Sequence, residues 1–380
     1  MEIHTLRYDR KKHWSVKSRP QIDSHRTLAL VFGPSSFLDS AEPLSELIGD
    51  YRESVVMGCS TAGEILGTQI FDDSVSAAIV RFDRTDLRMA SARAQSANDS
   101  FAAGREVARQ LNDPRLKGVL VLSDGLCVNG SELVRGLNSE VPASVVVTGG
   151  LAGDGDRFRR TWVLQGGRPQ SGFVTAVGFY GDRIRIGHGS KGGWDRFGPE
   201  RRVTKSKGNV LFELDGRPAL QLYKEYLGDR AAGLPATGLL FPLALRANET
   251  DAKSLVRTIL AVNEQEQSLT FAGDIAEGAL AQLMKANFDR LVQGASEAAS
   301  STTLSTDGDP STLAIAISCV GRRLVLGGRT EEEIEATLDV LPKGTQQVGF
   351  YSYGELSPYA SGTCDLHNQT MTLTTLSEAA

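Results

Sequence analysis

Two ten-residue stretches, 55–64 (VVMGCSTAGE) and 145–154 (VVVTGGLAGD), align without a gap. Each runs a buried-looking strand into a glycine-rich turn, and in each an Ala-Gly pair is followed by a carboxylate. A chain that carries this unit twice is expected to set two strand–loop units side by side, lining one cleft. Ala272-Gly273-Asp274 and Tyr353-Gly354-Glu355 repeat the ending more loosely, and Val-Gly-Phe-Tyr occurs at 177–180 and again at 348–351. The glycine supply fits this reading: 40 of 380 residues, against a usual share of roughly 7%, favours tight turns and backbone-lined loops.

The segments around the echo alternate in type. Apolar runs at 27–32, 54–57, 75–82, 118–122 and 144–147 read as buried strands, and 40–48, 101–111 and 131–137 carry helical spacing. That alternation predicts an α/β layered N-terminal domain with glycine-rich strand–loop repeats. Strands at 173–180 and 183–188 follow. A second block, expected to be a smaller α+β C-terminal domain, starts near Gly208. It offers strands at 211–214, 255–262, 268–271, 313–319 and 348–353, a helix through 227, a capped helix at 330–338 and a polar loop at 300–311. Leu280, Leu283, Met284, Phe288 and Leu291 recur at three and four, so 276–293 reads as a long amphipathic helix. The expected division is an arm at 1–26, an N-terminal domain at 27–215, a C-terminal domain at 216–362 and a tail at 363–380.

Several classes are disfavoured. Basic residues number 41 and acidic residues 46, a net charge of −5, which speaks against a general nucleic-acid or anionic-membrane binder. Cys59, Cys127, Cys319 and Cys364 form no CxxC pair, so neither a zinc knuckle nor a disulfide scaffold is signalled. The polar, basic opening MEIHTLRYDRKKHW is unlike a signal peptide, and no apolar run is long enough to span a membrane. A cytoplasmic, bacterial-style protein is expected. Gly187–Gly193 has the glycine spacing of a P-loop, but Gly193 and Trp194 stand where Lys and Ser/Thr are required.

Longer strings carry a family resemblance. Gly58-Cys59-Ser60-Thr61-Ala62-Gly63-Glu64 resembles the most distinctive loop of FIST domains (F-box and intracellular signal transduction), and Gly149-Gly150-Leu151-Ala152-Gly153-Asp154 with Phe158 and Thr161 resembles a second stretch. Gly193-Trp194 through Lys205-Ser206 is similar to the junction with the FIST C-terminal domain, and Leu214-Asp215-Gly216 with Pro218, Tyr223 and Leu227-Gly228 to its opening. Gly349 to Glu355 and Cys364 to Thr370 resemble its close. The resemblance implies a sensory module that binds a small ligand, an amino acid or a derivative, and informs a separate signalling partner. One branch of the family binds haem and senses nitric oxide beside a histidine kinase. No output block is apparent in the residues left over, so a stand-alone sensor rather than an enzyme is expected.

The residues themselves nominate a site. Backbone N–H groups of Gly58, Cys59, Ser60, Thr61, Gly63, Gly150 and Gly153 suit a carboxylate, while Glu64 or Asp154 suits an ammonium; the plainer alternative is two tight turns capped by their own acids. Asp124, in Ser123-Asp124-Gly125, is placed to line the same cleft or to cap its turn. Cys59 after a strand and a glycine could act as a nucleophile on an elbow, although no histidine with an orienting partner is signalled for it and a buried structural thiol is the simpler reading. His367 is the candidate haem ligand, non-covalent because no CxxCH is present, against a histidine that ties a terminal strand to the core. The basic stretch Arg196, Arg201, Arg202, Lys205 and Lys207 suits an acidic partner surface or a solvated face.

Overall fold

The computed structural model describes residues 1–251, 254–302, 311–359 and 362–379. Three of the sheets share one plan and, by exchanging strands, close into a ring. In the first, Thr27–Gly33 pairs in parallel with Val55–Ser60 and antiparallel with Val75–Arg81. In the second, Leu116–Ser123 pairs with Val146–Leu151 and Phe173–Tyr180 in the same senses. In the third, Leu313–Cys319 does so with Gln346–Ser352 and Met371–Glu378. Each parallel crossover carries a helix, Glu42–Asp50, Gly130–Asn138 or Thr330–Leu338, as a parallel connection requires.

The three repeats exchange strands in a cycle. The hairpin Glu64–Leu66/Gln69–Phe71 leaves the first repeat and pairs with strand 346–352 of the third. The hairpin Val163–Gln165/Arg168–Gln170 of the second pairs with strand 55–60 of the first, and Gly354–Pro358/Cys364–His367 of the third pairs with strand 146–151 of the second. The closing strands move the other way: Asp86–Arg93 joins the second sheet, Ile184–Lys191 the third, and Glu2–Asp9 the first. Leu30, Leu120 and Ile315, at matching positions of the three first strands, are at most 1% exposed in one shared core.

Glycine sets the register. A Cβ at Gly58, Gly149 or Gly349 would lie 2.1, 1.9 or 1.8 Å from the carbonyl oxygen of Val31, Val121 or Ala316 in the neighbouring parallel strand. These glycines are therefore equivalent, and the equivalence shifts the gap-free sequence echo by one residue. Gly149, not Thr148, answers Gly58.

Several sequence expectations change here. The chain is built of mixed sheets dominated by strands, with few helices, rather than α/β layers. Residues 1–26, read as an arm, contribute strand Glu2–Asp9, and the expected tail contributes Met371–Glu378, buried along its whole length. The long helix at 276–293 is instead a strand, Leu280–Lys285, followed by a helix, Phe288–Ser300, whose N-cap is Asn287. The polar loop at 300–311 lies mostly outside the described residues. Between Asp195 and Lys285 the chain forms a separate eight-stranded sheet whose core includes Val203, Leu220, Tyr223 and Phe271.

One buried ion pair of the third repeat holds the two ends at which the chain leaves the ring and returns to it. Arg322 and Glu333 are both fully buried. The Arg322 Nε and Nη2 donate to Glu333 Oε2 at 2.9 and 2.7 Å, while Nη2 also reaches the Leu291 carbonyl at 2.8 Å and Nη1 the Gly192 carbonyl. Glu333 Oε1 accepts from Ser318 at 3.0 Å and Tyr351 at 2.8 Å. Glu333→Ala would leave a buried guanidinium without its carboxylate, and the expected loss of stability is about 3–5 kcal/mol. Urea denaturation measures it; a loss below about 1 kcal/mol would show that the site relaxes or floods with water.

Candidate functional site

The turns that follow strands Val55–Ser60, Val146–Leu151 and Gln346–Ser352 meet at the middle of the ring. The Ala62 amide donates to the Tyr351 carbonyl at 2.8 Å, the Tyr353 amide to Leu151 at 3.1 Å, and the Gly153 amide to Ser60 at 3.0 Å. Ala62, Gly153 and Tyr353 are equivalent in the glycine register, so these bonds form one cyclic set linking all three repeats. The two echoed loops are thus brought together, with a third turn that the sequence matched only loosely.

Their acids turn inward. Glu64 is 1% exposed and accepts from Thr61 Oγ1 at 2.5 Å, from the Ser74 amide at 3.2 Å and from Ser74 Oγ at 3.1 Å. Glu355 repeats the pattern with Ser352 at 2.6 Å and the Thr370 amide and hydroxyl at 3.3 and 2.9 Å. Burial, with no cation hydrogen-bonded to either carboxylate, pushes both up to about 8 and outweighs these donors. The one-residue shift places Gly155, not Asp154, opposite Glu64. Asp154 is fully buried, accepts from the Arg159 and Arg160 amides at 3.0 and 3.1 Å, and takes the Tyr353 hydroxyl. Asp124 instead receives the Gly172 amide at 3.0 Å, along with the Leu126 and Cys127 amides at 2.8 Å each.

The other nominated residues make contacts within the fold. Gly58 packs on the Val31 carbonyl, and a Cβ at Gly150 would meet Ile317 at 2.8 Å. Ser60 Oγ accepts the Trp162 amide at 3.0 Å, and Thr61 Oγ1 accepts the Gly63 amide at 3.2 Å. Cys59 is fully buried and its thiol is raised well above its ordinary value, which leaves no reachable thiolate for the elbow reading. His367 is 4% exposed, its Nε2 lies 2.9 Å from the Ser357 carbonyl oxygen, and Tyr359 lies parallel to its ring at 6.4 Å. A haem needs a wide open face beside its axial imidazole; His367, buried and with Tyr359 parallel to its ring, offers none, so these residues do not fit a haem. Among the described residues no three His, Cys, Asp or Glu side chains cluster as a metal set.

Beside these turns lies an open cavity of about 560 Å³, within the range of small-ligand pockets. The first repeat supplies Ala62 and Asp72, the second Gly155, Asp156 and Arg157, and the third Arg323 and Glu331. Arg323 holds Asp72 through two bonds of 2.8 and 2.7 Å, keeps that carboxyl below its usual range, and donates to the Ala62 carbonyl at 2.6 Å. Gly63, at φ +133°, makes room for it, since a Cβ there would sit 2.5 Å from Arg323 Nη1. Arg157 is half-exposed, 3.9 Å from Asp154, beside the exposed Asp156. Sequence reasoning missed all of these charged side chains. The available signal was position: Asp72 follows the hairpin of one unit, and Arg157 follows the turn of the other.

The raised carboxyls have a pH consequence. The folded chain holds protons on Glu64 and Glu355 that the unfolded chain releases near the ordinary value of 4.5. Their contribution to stability therefore declines as pH rises from about 4.5 to 8 and levels off above that. Glu64→Gln removes one such proton, so its denaturation midpoint is expected to fall less than wild type's between pH 5.5 and 8.5. Equal falls would mean that Glu64 is ionised when folded. Thiol labelling is a second check: Cys59, Cys319 and Cys364 are buried and Cys127 half-buried, so Cys127 is expected to react first in the native protein and Cys59 only on unfolding.

The FIST N domain family model matches residues 27–217 and the FIST C domain model residues 219–358. An uncharacterised protein of Methanocaldococcus jannaschii is 25% identical over 266 residues, covering 63% of this chain and 50% of that protein; the chain thus spans about half the length of this curated relative. Among solved structures, a cyanuric acid hydrolase from A. caulinodans aligns over 92% of this chain and 90% of its own at 9% identity and a TM-score of 0.33. PurLQS from Thermotoga maritima aligns over 94% and 66% at 11% identity and a TM-score of 0.17. Likenesses at these scores carry no argument for fold or function. FIST domains are associated with signal transduction and sensing. Among the described residues, no helix is long and apolar enough to cross a membrane.

Proposed function

We propose that this chain, which belongs to the FIST family through both its N and its C domain, is a sensor that binds a small zwitterion, an amino acid or a derivative, in the cavity where the three repeats meet. The observation that carries the reading is the mixed charge of that cavity. Arg157 is placed to take a carboxylate, and Asp156 and Glu331 to take an ammonium, while Arg323 and Asp72 are already bound to each other and brace the wall. A neutral or singly charged ligand would leave one of these signs unused.

Sensing follows from who lines the cavity. Because its walls belong to all three repeats, a ligand that prefers one spacing of the turns shifts the population toward that spacing. A separate signalling protein, such as a histidine kinase, would read the shifted state by its own differential affinity. In this reading Cys59 and His367 serve packing.

The test is calorimetric titration with the common amino acids, followed by the best ligand against Arg157→Ala. A saturable ligand whose affinity drops at least tenfold in the variant supports the proposal. Absence of binding by every amino acid, or undiminished binding by Arg157→Ala, overturns it.

A further inference from the structure

A second cavity, of about 270 Å³, occupies the repeat-related position one step around the ring. In the first cavity, Val320, Arg323 and Leu324, which follow the first strand of the third repeat, face the Ala62 turn. In the second, Gly125, Val128 and Asn129, the equivalent residues of the second repeat, face the equivalent turn at Tyr353. At the third such position, Asp39 forms an ion pair with Arg160 at 2.7 Å, and the Trp162 indole donates to the Pro34 carbonyl at 3.0 Å.

The two cavities have opposite chemistry. No charged side chain is among the described residues that line the second one. Leu126, Phe158 and Leu260 are 39%, 44% and 42% exposed, yet all three converge on it, from two loops of the ring and from the inserted unit. Large apolar side chains left in water at one concave spot mark a recognition site. Phe158 adds a second sign. Its φ is +50°, a region that bulky residues avoid, and it stacks on Tyr353 at 4.4 Å with an interplanar angle of 15°. Strain of this kind persists where surrounding contacts over-determine the conformation. Here the Tyr353 hydroxyl accepts the Phe158 amide at 3.3 Å.

We propose that this cavity is a second ligand site, one that takes an uncharged planar aromatic ring between the ring of repeats and the inserted unit. Phe158, the outer ring of its stack on Tyr353, offers an aromatic wall, and Leu126 and Leu260 lie beside it. The Asn129 and Asn209 side chains are already engaged, Asn129 by the Ser131 and Glu132 amides and Asp274, and Asn209 by the Phe271 carbonyl, which suits an uncharged, largely apolar ligand. The site does not depend on the zwitterion reading, because none of its charged residues takes part.

The probe is indole, titrated calorimetrically into the full chain with no amino acid present. Wild type is expected to bind it saturably. Leu126→Asp, which puts a charge at the mouth, and Phe158→Ser, which removes the stacked wall, are each expected to weaken binding at least tenfold; both side chains are substantially exposed, so folding should survive. Arg157→Ala is expected to bind indole like wild type, which keeps this test separate from the amino-acid one. No saturable indole binding, equal binding by Leu126→Asp and Phe158→Ser, or loss of binding in Arg157→Ala overturns the proposal.

Discussion

No repeat of this ring completes its own sheet. The hairpin that follows the second strand of each repeat pairs with the preceding repeat, and the closing strand pairs with the following one. Any single repeat cut from the chain would expose unpaired strand edges and an unfilled apolar face. The exchange also explains why strand Glu2–Asp9 and strand Met371–Glu378 are structural: the cycle closes only if the first residues return to the sheet of the first repeat and the last ones complete the third. Pairings that join residues hundreds of positions apart imply slow folding, because loop-closure entropy is spent before those contacts form.

The insertion between strand Ile184–Lys191 and helix Phe288–Ser300 is tolerable only if both ends are held. Arg322 does this by reaching the carbonyls of Gly192 and Leu291, on either side of the inserted unit, while Glu333 neutralises it from the next helix. A buried ion pair is a costly fastener compared with apolar packing. Its directional bonds, however, fix where the chain leaves the ring and where it comes back, which non-directional burial does not do.

Sequence reading worked where burial and periodicity agree. Phe173–Tyr180 and Ser268–Phe271 are continuous strands bounded by turn residues, and both are found at the expected positions. It failed where polar residues are buried. The final strand carries Thr372, Thr374 and Thr375 inside the protein, so its pattern resembles a solvated tail. It also failed where a strand and a helix happen to share spacing: Leu280, Leu283 and Met284 belong to one, Phe288 and Leu291 to the other, and only the Asn287 cap marks the break. The third repeat was legible in principle, since Gly58, Gly63 and Glu64 recur as Gly349, Gly354 and Glu355 at the same spacing. The two longer echoes hid it because their best alignment is one residue out of structural register.

That single-residue offset accounts for much of the site's asymmetry. In the first and third repeats the acid lands opposite a Ser or Thr hydroxyl and amide at the head of the next strand, and it is sealed there. In the second repeat the acid arrives one position early, so Asp154 meets the Tyr353 hydroxyl and the amides of its own loop, and Asp124 takes over the Gly172 amide. The 154–160 loop is thereby anchored to the third repeat at a single point. From there it sends Arg157 into the charged cavity and the neighbouring Phe158 into the apolar one. A strictly symmetric ring would have repeated one pocket; displacing one carboxylate by one residue lets adjacent side chains of one loop line two pockets of opposite character.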